Sequence, residues 1–191
     1  MDGSACLGVV LAGGRSQRMG ADKARLPWKG RTLLEHQFGL LEQAGCARVL
    51  VSGGYSAFPH VRDLWPQRGP LGGLASVAAE AEEPHWLVLA VDQPLVDVAM
   101  LRALRAGLDA AIERGRGVCR FGEEQLPMAM VAGPEIRLWM EQALHGSGSG
   151  ASLKYLQERL RVHTLAADAG VRARLRGANT PDEWQALLLS A

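Results

Sequence analysis

The sequence predicts an α/β fold: one Rossmann-like, doubly wound, mostly parallel sheet with helices on both faces, with residues 1–191 forming a single domain. Three observations lead there. Short apolar runs alternate with longer segments of helical periodicity, the pattern of strand–helix–strand units. Several of the apolar runs end in residues unsuited to a core: Leu11-Ala12-Gly13-Gly14, Ser52-Gly53-Gly54 and Asp92-Gln93-Pro94. A length of 191 residues, 48% apolar and 21% charged, suffices for one well-buried α/β core and is short for two.

The elements follow in order. Leu7 to Leu11 reads as a buried first strand, and the glycine-rich stretch after it as a loop. Thr32 to Ala44 reads as a helix, with Leu33, Leu34, Phe38 and Leu41 on one face and Gly45 as its stop. Arg48 to Val51 is the next strand, followed by a polar loop from Tyr55 to Gly69. Leu74 to Glu82 is expected to be helical after the opening Pro70-Leu71-Gly72-Gly73, and Trp86 to Val91 is a continuous apolar strand ending at Asp92. Val98 to Arg114 is a long helix with Asp97 as its N-cap. A short strand near Val118 and an extended stretch from Leu126 to Val131 follow. Pro134 to Leu144 is a helix with proline in its first turn, 146–150 a mobile loop, and a last helix begins after Asn179-Thr180-Pro181.

Composition narrows the function. A net charge of +1 gives no global attraction to nucleic acid or to an acidic membrane surface, so any anion site must be local. No apolar run approaches the roughly 20 residues that span a bilayer. The expected location is the cytoplasm. Cys6, Cys46 and Cys119 lack zinc spacing and form no disulfide framework, and the five histidines show no metal spacing. Trp28, Trp65, Trp86, Trp139 and Trp184 are expected to pack rather than to stack bases.

The chemistry concentrates in residues 11–23. Glycines let backbone N–H groups approach an anion, and Arg15, Arg18 and Lys23 bring cations to it. The stretch lacks the Gly-Lys-Ser/Thr of a P-loop and the Gly-x-Gly-x-x-Gly of a dinucleotide fold, so it is a polyphosphate loop of another kind. In an open α/β sheet, ligands bind beyond the carboxyl ends of the strands, so Gly13, Ser52 and Asp92 should converge on one crevice. A carboxylate such as Asp92 can hold Mg²⁺, which favours oxygen ligands and also binds substrate phosphates. Asp63, in the loop after the second strand, can accept hydrogen bonds from two neighbouring N–H donors on a base edge. Asp22, beside Lys23, suits orienting the loop better than binding metal.

Together these residues resemble the molybdenum cofactor guanylyltransferases, the MobA family. The matching motif, Leu-Ala-Gly-Gly-x-Ser-x-Arg-Met-Gly-x-Asp-Lys, runs from Leu11 to Lys23. Supporting matches are Gly69-Pro70-Leu71-Gly72-Gly73-Leu74, the strand ending at Asp92, Leu126-Pro127-Met128-Ala129-Met130 and Asn179-Thr180-Pro181-Asp182-Glu183. The resemblance implies GTP and molybdenum-bound molybdopterin as substrates, with Mg²⁺ as cofactor. It also implies transient contact with other cofactor-biosynthesis or molybdoenzyme-maturation proteins. By the same resemblance Leu11, Ala12 and Gly13 contact the nucleotide and Lys23 its phosphates; the residues themselves add Gly14 to the nucleotide contacts and Arg15 and Arg18 to the grip on the triphosphate. Asp63 holds guanine, Asp92 holds metal and nucleotide, and Ser52 stands where the family has asparagine. Two alternatives remain: a CTP-dependent molybdopterin cytidylyltransferase or other NTP transferase of the same superfamily, the former suggested by Asp92-Gln93-Pro94 and opposed by Gly14, and a non-catalytic carrier of the pterin, opposed by Lys23 and Asp92.

Overall fold

The protein, described by a computed structural model covering residues 5–13, 22–146, 151–178 and 180–190, is built on a seven-stranded sheet. Its strands in chain order begin with β1 (Cys6–Leu11), after which a 3-10 turn (Lys23–Arg25) leads into a two-residue hairpin, β2 (Pro27–Trp28) and β3 (Arg31–Thr32). Lys29 and Gly30 both take positive φ in the hairpin turn. Helix α1 (Leu33–Gln43) follows, capped by Thr32 and Glu35 in a reciprocal box, and leads into β4 (Arg48–Ser52), the short β5 (His60–Val61) and α2 (Gly69–Ala78). Then come β6 (His85–Ala90), α3 (Val98–Ile112), β7 (Val118–Phe121), β8 (Met128–Val131) and α4 (Pro134–His145). The chain closes with α5 (Leu153–Leu160), β9 (Val162–Leu165), α6 (Ala169–Arg174) and α7 (Pro181–Ser190).

The strand order is β5-β4-β1-β6-β8-β7-β9, with β8 antiparallel to both its neighbours and the other pairings parallel. Side chains alternate across the sheet, as a period of two requires. On β1, Cys6 and Val10 join the core under α1 and α3, whereas Leu7, Val9 and Leu11 join the core under α2, α4 and α5. Strand β6 repeats this with Leu87 and Leu89 on one side and Trp86 and Val88 on the other. Trp28 and Trp184 pack at 5.5 Å between ring centres in the first core, so these tryptophans are indeed packing residues. The thiols of Cys6 and Cys119 are buried and that of Cys46 half-buried.

The expected helix from Leu74 to Glu82 is displaced. It starts at Gly69 and ends at Ala78, because Pro70 suits a first turn and Gly72 and Gly73 allow close packing, against Trp65 O and the Ser52 and Leu11 side chains, instead of breaking the helix. Strand β6 closes at Ala90 rather than Val91, leaving Val91 and Asp92 in the turn beyond it. Helix α5 and strand β9 had no counterpart in the sequence reading. For α5 the signal was present: Leu153, Leu156, Gln157 and Leu160 recur at helical spacing after Ser152, whose side chain caps Tyr155 N–H. Strand β9 is short and half-buried, so its pattern is weak. Residues 147–150 of the expected mobile loop lie outside the described residues.

Candidate active site

The register of three parallel strands creates the site. Leu11 pairs with Ser52 of β4 and with Ala90 of β6, so all three strands end at one level. The chain leaves β1 for β4 on one side and returns to β6 on the other, and β1 is therefore the switch point at which such sheets open a crevice. Backbone bonds carry the pairing past the strand ends: Ala12 N–H donates to Ser52 O (3.2 Å) and Val91 N–H to Leu11 O (3.1 Å).

A cleft of about 830 Å³ lies over these ends, lined by Leu11, Ala12, Gly13, Lys23, Ser52, Asp63, Pro66, Gln67, Gly69, Pro70, Ala90, Val91, Asp92 and Leu126. That volume falls in the range of small-molecule pockets. The structure brings Gly13, Ser52 and Asp92 to one crevice, as their places after predicted strands implied, and Leu11, Ala12, Lys23 and Asp63 join them in its lining. Gly14, Arg15 and Arg18 lie outside the described residues.

Within the cleft, Lys23 Nζ donates to Asp92 Oδ2 at 2.9 Å, with the side chains 14% and 30% exposed. The cation comes from the turn after the glycine-rich stretch and the carboxylate from the turn after β6. The turn holding Lys23 is fixed by Asp22, whose Oδ1 accepts from Ala24 N–H (3.0 Å). This is the orienting role that the sequence suggested for Asp22. Asp92 is held from behind, where Ala178 N–H donates to its carbonyl (3.3 Å) and Gly177 passes so close that a Cβ there would lie 2.9 Å from the same oxygen. Asp63 is exposed on the cleft wall, and its Oδ1 accepts from Trp65 N–H (2.9 Å).

Ser52 is buried at 2% exposure, and helix α2 crosses directly over it. A Cβ on Gly73 would lie 2.7 Å from Ser52 Oγ and 3.1 Å from Leu11 Cδ2, so only glycine permits that approach. The amino end of α2, at Gly69 and Pro70, therefore opens onto the cleft, where its partial positive charge favours an anion.

Two buried glutamines, whose bracing role the sequence did not indicate, hold the floor. Gln37 on α1 donates from Nε2 to Gln93 O (2.8 Å), and Gln93 donates from Nε2 to Leu126 O (2.9 Å) and Leu175 O (3.0 Å). Gln93 thus ties the turn carrying Asp92 to two distant segments.

Among the described residues, no three His, Cys, Asp or Glu side chains cluster as a metal cage. A single partly exposed carboxylate facing an anion-binding surface instead fits an ion such as Mg²⁺, which keeps waters and is shared with substrate phosphates.

Comparison with known proteins agrees with this geometry. Residues 8–178 match the MobA-like NTP transferase domain. The chain is 43% identical to a molybdenum cofactor guanylyltransferase of Xanthomonas euvesicatoria pv. vesicatoria over 95% of this chain and 93% of the relative. Among solved structures, molybdopterin-guanine dinucleotide biosynthesis protein A from Archaeoglobus fulgidus superimposes with a TM-score of 0.70 at 19% identity, covering 96% of this chain and 98% of that one. Rv0371c from Mycobacterium tuberculosis H37Rv, solved in complex with manganese, gives a TM-score of 0.68 at 21% identity over 98% of this chain and 100% of its own. With its strand-end cleft, its Lys23–Asp92 pair and a domain match over most of its length, this chain belongs to the MobA-like NTP transferase family and is a nucleotidyltransferase.

Proposed function

We propose that the protein transfers GMP from GTP to molybdenum-bound molybdopterin, releasing pyrophosphate and forming the guanine dinucleotide form of the cofactor. The observation that carries this reading is the Lys23–Asp92 pair in a cleft over the ends of β1, β4 and β6, in a chain 43% identical to a molybdenum cofactor guanylyltransferase.

The pterin's terminal phosphate is already anionic at neutral pH, so it attacks the α-phosphorus of GTP in line without a general base. The new P–O bond forms as the bond to pyrophosphate breaks. No histidine or cysteine lines the cleft among the described residues, consistent with direct transfer and no covalent enzyme intermediate. The work of the chain is to position the substrates and neutralise their charge. Lys23 grips the phosphates, and Arg15 and Arg18, cations of the same glycine-rich stretch, are assigned to the same task by their charge. Leu11, Ala12, Gly13 and Gly14 present backbone to the nucleotide, Asp63 accepts from the guanine edge, and Ser52 supports the cleft wall beneath α2. Asp92 would hold Mg²⁺, and the manganese complex of the M. tuberculosis structure supports a divalent ion here. When bound, that ion would neutralise phosphate charge alongside the cations of the chain.

The structure weakens the sequence feature that leaned towards CTP. Gln93, in the Asp92-Gln93-Pro94 triplet, is 7% exposed, and its amide is engaged with Leu126 and Leu175. Its identity answers to bracing the site rather than to reading a base.

Pyrophosphate release from GTP and from CTP, each with the pterin acceptor and Mg²⁺, tests the assignment. GTP should turn over and CTP should not, and Asp92→Asn should abolish turnover while leaving the melting temperature near wild type. Preferential use of CTP would replace guanine by cytosine. Tight nucleotide binding without pyrophosphate would leave only a carrier.

A further inference from the structure

Tyr55 lies in the loop after β4, outside the cleft lining, and its hydroxyl touches both flanks of the glycine-rich stretch. It sits 2.9 Å from Asp22 Oδ1 and 3.3 Å from the carbonyl of Ala12. Ala12 belongs to the segment leading from β1 into that stretch, and Asp22 caps the turn that carries Lys23. One phenol therefore joins the entry and the exit of the phosphate-binding segment.

The ring is seated for this reach. Gly53 has φ +136°, and a Cβ there would come within 3.0 Å of Tyr55 Cε2, so that side of the ring lies close against bare backbone. Tyr55 N–H donates to Gly53 O (3.0 Å), and Phe58 N–H to Tyr55 O (3.0 Å), which fixes the loop locally. A phenol has one proton to give. The shorter contact, to a carboxylate, takes it, and the Ala12 carbonyl shares it at longer range. Burial and the neighbouring Asp22 push the Tyr55 hydroxyl above its ordinary value, so it remains a donor throughout the neutral range.

We infer that Tyr55 is a positioning residue for nucleotidyl transfer, acting through Asp22 to set the turn that aims Lys23 into the cleft. The inference rests on the reading of the cleft as a nucleotidyl-transfer site. The chain of contacts is continuous: Tyr55 OH to Asp22 Oδ1, Asp22 Oδ1 from Ala24 N–H, and Lys23 Nζ to Asp92 Oδ2. Arg25 Nε, 3.3 Å from Asp22 Oδ2, occupies the other oxygen. Without the phenol, Asp22 keeps its cap and its arginine but loses the tie that registers the turn against Ala12.

Tyr55→Phe keeps the ring on Gly53 and removes only the hydroxyl. In the full chain, kcat/KM for GTP should fall about tenfold, carried mainly by KM for GTP, while KM for the pterin acceptor and the melting temperature stay near wild type. Asp22→Ala, which removes the acceptor, should lower the same ratio, and the double variant should be no worse than Asp22→Ala alone. A Tyr55→Phe protein with unchanged kcat/KM, or with a lowered melting temperature and equal effects on both KM values, would make Tyr55 a packing residue only. Additive losses in the double variant would separate Tyr55 from Asp22 and overturn the inference. A wild-type protein that releases no pyrophosphate from any nucleotide would remove the transferase reading itself, and this inference with it.

Discussion

Replacing Lys23 by Met should shift metal and nucleotide affinity in opposite directions. In the structure the ammonium stands 2.9 Å from Asp92 Oδ2, so an ion approaching that carboxylate must displace or face it. Two unit charges at that distance attract by about 1.4 kcal/mol at the dielectric of water and about 6 kcal/mol at an effective dielectric of 20. With Lys23 14% and Asp92 30% exposed, solvent screening pulls the contact towards the lower end, and a hydrogen bond to a charged group is worth about 1.5–3 kcal/mol. Removing the ammonium while keeping the aliphatic stem should therefore tighten Mn²⁺ binding to the nucleotide-free protein by about tenfold or more. The same substitution deletes a charge-assisted phosphate contact, so GTP affinity and turnover should fall by about tenfold or more. Manganese titration followed by electron paramagnetic resonance reads the first effect, and calorimetric titration of GTP with Mg²⁺ reads the second. Manganese affinity that is unchanged or weaker in Lys23→Met would refute the reasoning, because the ion would then not compete with Lys23 for Asp92.

Two further outcomes follow from packing and titration. Gly73→Ala sets a methyl 2.7 Å from Ser52 Oγ and 3.1 Å from Leu11 Cδ2, so α2 must lift from the strand ends. Stability should drop by about 1–3 kcal/mol in urea denaturation and GTP affinity should fall with it; a protein with wild-type values for both would mean the helix is not seated that tightly. His36, half-buried with its ring 6.2 Å from that of Trp28, is held below its ordinary value of 6.5 by burial. The unfolded chain then binds the extra proton first, so stability is full above about pH 6.5 and declines as the pH drops through that value towards the lower folded one. His36→Gln should flatten that limb of the stability curve, and an unchanged slope in denaturation series at pH 5 to 7 would assign it to other groups.

Much of the fold was legible because it rests on local regularities. Continuous apolar runs in residues 6–11 and 85–90 mark strands that bury both faces, and Asp97 and Thr32 mark helix starts through bonds to residues three positions on. The breaking of strands into Ala12-Gly13, Ser52-Gly53 and Val91-Asp92 marked the crevice, since strand ends in a parallel sheet meet at one edge. The start of α2 was misplaced because glycine and proline are read as breakers, whereas here Gly73 is the close-packing residue of a helix on a sheet. The bracing by Gln37 and Gln93 carried no sequence signal, since a glutamine becomes a brace only when distant segments surround it.

The sequence by itself determined the α/β class, the glycine-rich and cationic character of residues 11–23 and the set of strand-end residues, because each depends on neighbours along the chain. Tertiary structure alone decided that Lys23 meets Asp92 across a separation of 69 residues, that Tyr55 reaches Asp22, and that Gln93 looks inward rather than to a base. Those contacts depend on strand register and on where helices dock, and register is fixed by the whole buried face of the sheet at once.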